Sequence, residues 1–442
     1  MDESHTERPL RTGLRAQDIQ TSLQDVELGP LNAEIKNIRL VGMATRLAVH
    51  IRGADVIDDY KRLEYVSSQF GIDSLVLPRV LQVLQELEWA RVNDSNGMFS
   101  SLEENIPYFS DVYSAAGDYI EKSNPSEIEQ ATLHITDTLA LCPIAEDQVR
   151  ASSGLDERAY AMVRDLGRSG RFIEEYESKQ TGEKVLYSPL YWIENPDKIE
   201  EVFLLLKEFG ADIVISALGS IRSYQGLPLA ENFKEVAGPD TPDHMRIITE
   251  AIRRGIILAP EVTSHKGART FAFTPQTGIP IQDKLILEKA MAILSCIRYG
   301  EHFGTITRIR FPEAILNRLI SSPHRIGSHT EIKRQYSILV ARGMGRVFPD
   351  SLDSSRHYFE LLPTEENVAA VKLARDLLRV GEVVEDKGVS RQLRDVLFYH
   401  GTYEEAARTI PKLRRLAEIS PQTKETFFDV LNDTMDKLRG AW

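Results

Sequence analysis

Residues Ile144 to Trp192 read IAEDQVRASSGLDERAYAMVRDLGRSGRFIEEYESKQTGEKVLYSPLYW, and this stretch decides the fold. Its opening predicts a short helix ending near Ala151, then a tight Ser152-Ser153-Gly154 turn, then an amphipathic helix opened by Asp156. Gly154 supplies the positive φ that a sharp turn between helices needs. Asp156 supplies a carboxylate for the first unpaired N–H groups of the next helix. Leu155, Ala159, Val163 and Leu166 recur at helical spacing and give that helix an apolar face. Gly167 and Gly170 end it. Phe172 to Tyr176 and Val185 to Tyr187 then predict two strands around Lys179-Gln180-Thr181-Gly182-Glu183, a hairpin.

Outward from this stretch the same punctuation returns. Gly71 and Asp73 occupy the positions of Gly154 and Asp156, Val80 matches Val163, and Trp89 lies as far past its glycine as Phe172 does. A third copy is expected from Leu229 to Phe273, with helices near Leu229 to Val236 and Asp243 to Arg253, and strands Ile256 to Ala259 and Arg269 to Phe273. A fourth runs from about Ala314 to Leu362. The spacing of the copies is irregular, so they are similar folding units and not a tight solenoid.

Helix, turn, helix and β-wing, repeated over about residues 58 to 362, resembles the winged-helix superfamily arranged in tandem. The resemblance rests on periodicity, glycine turns and hairpins, without a family-defining motif. It implies a mostly α protein with small β-hairpins (α+β): a flexible tail at 1–29, winged helices at 30–110, 111–195, 196–280 and 281–363, and a C-terminal helical region at 364–442. Winged helices bind DNA, RNA or other proteins, so the resemblance implies a class of function and no specific one.

Bulk properties narrow that class. A chain of 442 residues exceeds one hydrophobic core. No run approaches the roughly 18 to 20 apolar residues of a membrane span, and MDESHTERPLRTG lacks a signal-peptide apolar segment. The expectation is a cytoplasmic protein without membrane contact. Two cysteines, Cys142 and Cys296, stand far apart with no CxxC or Cys/His cluster, which predicts buried thiols and no structural zinc. A formal net charge of −13 argues against nucleic acid coating the whole surface, while leaving room for one local basic face.

That face is sought where cations collect. The first unit carries a single basic residue, Arg79, on its second helix, so packing or dimerisation suits it better than DNA. In the second unit Arg150, Arg158, Arg164 and Arg168 stand beside an acidic wing strand of Glu174, Glu175 and Glu177. The third unit offers Arg246 on its second helix and His265, Lys266 and Arg269 on its wing. Between Arg298 and Arg346 nine cations face three acids. Within that segment RIGSHTEIKRQYSILVARGMGR predicts a turn at Gly327, a cap at Ser328 and a helix with an apolar stripe at Ile332, Tyr336, Leu339 and Val340. The opposite face projects His329, Lys333 and Arg334, with Arg325, Arg342 and Arg346 close by.

Catalytic signatures are missing from the sequence: it has no GxxxxGK[ST] loop, no HExxH and no GxSxG elbow. The triplets Glu34-Ile35-Lys36 and Glu331-Ile332-Lys333 alone do not make a metal-dependent nuclease, which would also need an acidic residue on an adjoining strand. The expectation is a non-enzymatic protein without cofactor or metal. In the first reading it binds double-stranded DNA through the helix after Ser328. In the alternative its winged helices bind protein partners or a second copy, as a scaffold subunit of a chromosome-organising, transcription or defence assembly.

Overall fold

The computed structural model describes residues 4–95, 98–192, 196–229, 242–264, 267–274, 284–304 and 308–382. They form helices and four small antiparallel sheets of three strands each. Among them the chain divides into two compact units, residues 43–108 and residues 1–42 together with 109–382.

The first element of the chain corrects an expectation. Residues 1–29 carry the composition of a tail, yet α1 (Ser4–Leu23) is a helix whose Leu14, Ile19 and Leu23 are fully buried. Two of its charged residues are packed inside, Arg15 at 0% exposure and Asp18 at 8%. A short α2 (Leu31–Glu34) leads into α3 (Lys36–Ile51).

Residues 43–108 contain β1 (Val56–Ile57), α4 (Tyr60–Ser68), α5 (Leu77–Glu86), β2 (Ala90–Ser95) and β3 (Met98–Glu104), the strands ordered β1-β3-β2. Asp59 caps α4 by accepting from the Arg62 N–H. Gly71 turns the chain at a φ of 73°, and the Asp73 carboxylate accepts from the Leu75 and Val76 amides. Those bonds extend the turn, and α5 begins at Leu77. Pro78 sits in its first turn, where its missing N–H costs least. Val80, Val83 and Leu84 of α5 are fully buried, as are Leu63 and Val66 of α4 and Leu102 of β3.

In the larger unit α6 (Phe109–Lys122) crosses α1. The crossing needs glycine on both sides: a Cβ on Gly13 would strike the Tyr113 carbonyl, and one on Gly117 the Pro9 carbonyl. Next come α7 (Glu127–Leu141), β4 (Ile144–Ala145), α8 (Glu146–Ser153), α9 (Glu157–Ser169), β5 (Glu174–Glu177) and β6 (Lys184–Tyr187), with sheet order β4-β6-β5. Gly154 ends α8 at a φ of 68°, and Asp156 opens α9 by accepting from the Ala159 N–H at 2.8 Å. Tyr160, Val163 and Leu166 form the buried stripe, while Leu155 and Ala159 are only half-buried.

Two helices, α10 (Pro196–Phe209) and α11 (Ala211–Ser223), precede β7 (Leu227–Pro228), α12 (Pro242–Arg253), β8 (Glu261–Ser264) and β9 (Gly267–Ala272). The apolar run Ile213 to Leu218 is therefore helical. Here the first wing strand lies later than expected: Ile256 and Ile257 go into the core, only Leu258 makes a bridge, to Phe273, and the ladder starts beyond Pro260. The helix expected at Leu229 to Val236 lies, beyond Leu229, outside the described residues.

The fourth sheet follows α13 (Lys284–His302) and α14 (Pro312–Ile320) and comprises β10 (Arg325–His329), β11 (Gly345–Pro349) and β12 (His357–Leu361), in the order β10-β12-β11. Between β10 and β11 stand two short helical segments, α15 (Ile332–Gln335) and α16 (Ser337–Ala341). The last described helix, α17 (Glu365–Val380), is capped by Thr364, ends at Gly381 with a φ of 78°, and packs on α13 and α14. The remainder of the expected C-terminal helical region, from 383 onward, lies outside the described residues.

Candidate nucleic-acid interface

The fourth sheet is where the sequence places DNA contacts, and its geometry departs from that reading. Gly327 and Ser328 are not a turn and a cap; they lie in β10, which pairs with β12 through Ile326 to Phe359 and His329 to His357. Ser328 donates its hydroxyl to Asp350, and its carbonyl accepts from Arg356. The single long helix becomes two short segments joined at Tyr336. Ile332, Tyr336 and Leu339 are buried as the stripe predicts, Tyr336 stacking on Phe359 at 5.4 Å. Val340 departs from the stripe at 41% exposure.

The cations of this region divide by partner. Lys333 and Arg334 are exposed, and among the described residues neither forms an ion pair; the same holds for Arg310 and Arg318. Arg342 lies 3.3 Å from Glu288, and Arg346 bonds Glu360 at 2.6 Å. Arg325 lays its guanidinium 4.6 Å from the centroid of the Tyr358 ring. His329 does not project with Lys333: it is half-buried, edge-on to Tyr336, and its Nδ1 accepts from the Glu331 N–H at 3.2 Å. Desolvation lowers its pKa to about 4, against an opposing pull from Glu331, so at neutral pH it offers no positive charge. The loop between β11 and β12 is acidic. Asp350 and Asp353 accept from the Leu352 and Ser355 amides, and Leu352 stands 94% exposed between them.

The third sheet behaves similarly. Arg246 is exposed but places its guanidinium 5.0 Å from the Phe209 ring centroid. Arg254 binds Glu208 at 2.5 Å and Glu250 at 2.7 Å, and Arg253 binds Glu250 at 2.5 Å. Hydrogen bonds from Arg253 and then Arg254 hold the Glu250 carboxyl down to about 2. Arg269 lies 5.2 Å from the Phe303 ring centroid. His265 and Lys266 lie outside the described residues. In the second unit Arg150, Arg164 and Arg168 bond Glu157, Glu146 and Glu175.

A cluster that the sequence does not announce lies in the larger unit. Arg15 of α1 reaches Asp18 at 3.0 Å, Asp137 of α7 at 3.1 Å and both Glu382 oxygens at 2.6 Å. Arg222 of α11 also bonds Glu382 and approaches Asp137 at 3.5 Å. The Tyr191 hydroxyl donates to Asp18. Desolvation pushes the Asp137 carboxyl up, and Arg222 and Arg15 outweigh it and hold the group below its ordinary value. Only the Arg15/Asp18 pair is local in sequence; nothing in the pattern links positions 15, 137, 222 and 382.

Among the described residues no group of three or more His, Cys, Asp or Glu side chains can hold a metal ion, and no helix is long and apolar enough to cross a membrane. Comparison of the chain with protein-family profiles, with curated proteins and with solved structures gives no match.

Proposed function

We propose that the chain is a non-enzymatic architectural subunit whose four sheet-bearing segments are tandem winged helices that engage protein partners. The strand order supports the winged-helix part: in each segment a short strand pairs with the last strand of a following hairpin, with helix between. The observation that carries the functional part is that most of the described cations of the third and fourth segments already have partners within the fold. Arg342, Arg346, Arg253 and Arg254 are tied to carboxylates, and Arg246, Arg269 and Arg325 lie against aromatic rings. A paired surface arginine meets a phosphate with its charge already partly balanced by its own carboxylate, so it adds less to duplex binding than an unpaired one.

A second reading, binding of double-stranded DNA, is favoured by Lys333 and Arg334, exposed and without an ion pair among the described residues. Anisotropy of a labelled duplex over a salt series separates the two. The architectural reading expects weak binding, with a Kd above about 1 μM at physiological salt, and no change on Lys333→Ala/Arg334→Ala. Tight binding whose log–log salt slope falls by roughly 0.9 for each contact removed in that double variant establishes the DNA reading instead.

A further inference from the structure

A cleft of about 650 Å³ opens in the larger unit beside the buried ion cluster, within the size range of small-molecule sites. Its polar wall draws on separate helices: Arg11 from α1, Ser110 and Ser114 from α6, Arg222 and Ser223 from α11, and Arg379 from α17. Arg222 is only 7% exposed, and among the described residues its hydrogen bonds use Nη2 alone. Nε and Nη1 of this guanidinium, which lines the cleft, make no hydrogen bond to the described residues and can donate to a molecule bound there. Arg11 stands 3.9 Å from Asp137, and Arg379 is bonded to Glu313, so both are already oriented. One carboxylate, Asp111, also lines the cleft, and it is exposed to solvent where its charge is screened.

The rest of the wall is apolar. Leu10, Leu141, Val380 and the Tyr224 ring contribute to it, and the Tyr224 hydroxyl is held by His302 at 2.8 Å. Three guanidiniums and three hydroxyls call for a multivalent oxyanion, since guanidinium forks match phosphate and carboxylate oxygens. The volume and the apolar wall call for an organic body attached to it.

We propose that this cleft binds a small organic phosphate monoester, its phosphate facing Arg222, Arg379 and Arg11 and its body lying along Leu10, Leu141 and Tyr224. The test is titration calorimetry on the full chain with phenyl phosphate as the probe, and inorganic phosphate and phenol as controls. Saturable binding of one phenyl phosphate, tighter than inorganic phosphate and with none for phenol, is expected. Arg379→Gln, which removes a charge, and Ser223→Leu, which fills the cleft, should each weaken it about tenfold. Circular dichroism confirms that each variant is folded, and Arg379→Gln carries the test if Ser223→Leu is not. Absence of saturation at about 10 mM phenyl phosphate, equal affinity for inorganic phosphate, or unchanged affinity in a folded variant overturns the proposal.

Discussion

Arg15 and Arg334 carry the same charge and meet opposite fates. Arg15 is fully buried against three carboxylates from three parts of the chain, whereas Arg334 stands in solvent with no ion pair among the described residues. The buried charge cannot lose a partner without leaving an uncompensated ion in a medium that solvates it poorly. The exposed one is screened by water and salt wherever it points. Position in the fold, and not residue type, decides whether an arginine is structural glue or a free surface group.

The largest effect should come from breaking the buried side of this contrast. Glu382→Ala leaves Arg15 and Arg222 without their shared carboxylate and should lower stability by about 3–5 kcal/mol, read by chemical denaturation. Replacing all five charged groups of the cluster, Arg15, Arg222, Asp18, Asp137 and Glu382, with apolar residues of similar size should recover much of that loss, because no stranded charge is left behind. A fivefold variant as unstable as Glu382→Ala would show that packing, not charge, dominates the cluster.

Next in size is the crossing that carries Arg15 into place. Gly13→Val drives a side chain into the Tyr113 backbone and should cost about 1–3 kcal/mol or more. Gly154→Ala, at a positive φ with nothing near its added carbon, should cost roughly 1 kcal/mol through backbone strain alone. Equal melting temperatures for the two variants would mean that α1 can slide on α6.

A smaller effect is a pH slope. Desolvation lowers His302 and His329 to about 4, with Arg298 reinforcing the shift at His302. The unfolded chain, with ordinary histidines near 6.5, then binds more protons than the folded one between about pH 4 and 6.5. Stability should therefore fall as pH drops through that window, and His302→Gln should flatten the fall in a pH series of melts. The smallest effect is the exposed one: Lys333→Ala/Arg334→Ala should change stability by no more than about 0.5 kcal/mol. A larger loss would mean these side chains hold contacts in the folded protein.

The same contrast governs what the sequence discloses. Gly154 with Asp156 and Gly71 with Asp73 are legible because turns and caps are satisfied within a few residues. Arg325 to His329 is misread as turn and cap because its strand character comes from a partner some thirty residues away, 357–361. The late start of β8 has a similar cause: Ile256 and Ile257 are claimed by the core, and pairing is deferred past Pro260. At the candidate interface the sequence shows where cations collect but not that Glu288, Glu360 and Glu208 hold them. The tail-like composition of residues 1–29 misleads most, since mixed charge signals solvent unless distant partners bury it.

The pairing of Arg15 with Glu382 also sets a timetable for synthesis. Their 367-residue separation means that the arginine emerges from a ribosome long before the carboxylate that completes its cluster. At translation rates of roughly 5–20 residues per second that interval is about 20–70 s. Asp18 and Asp137 can hold the guanidinium meanwhile, but α1 cannot reach its final closure until nearly the whole described chain has been made.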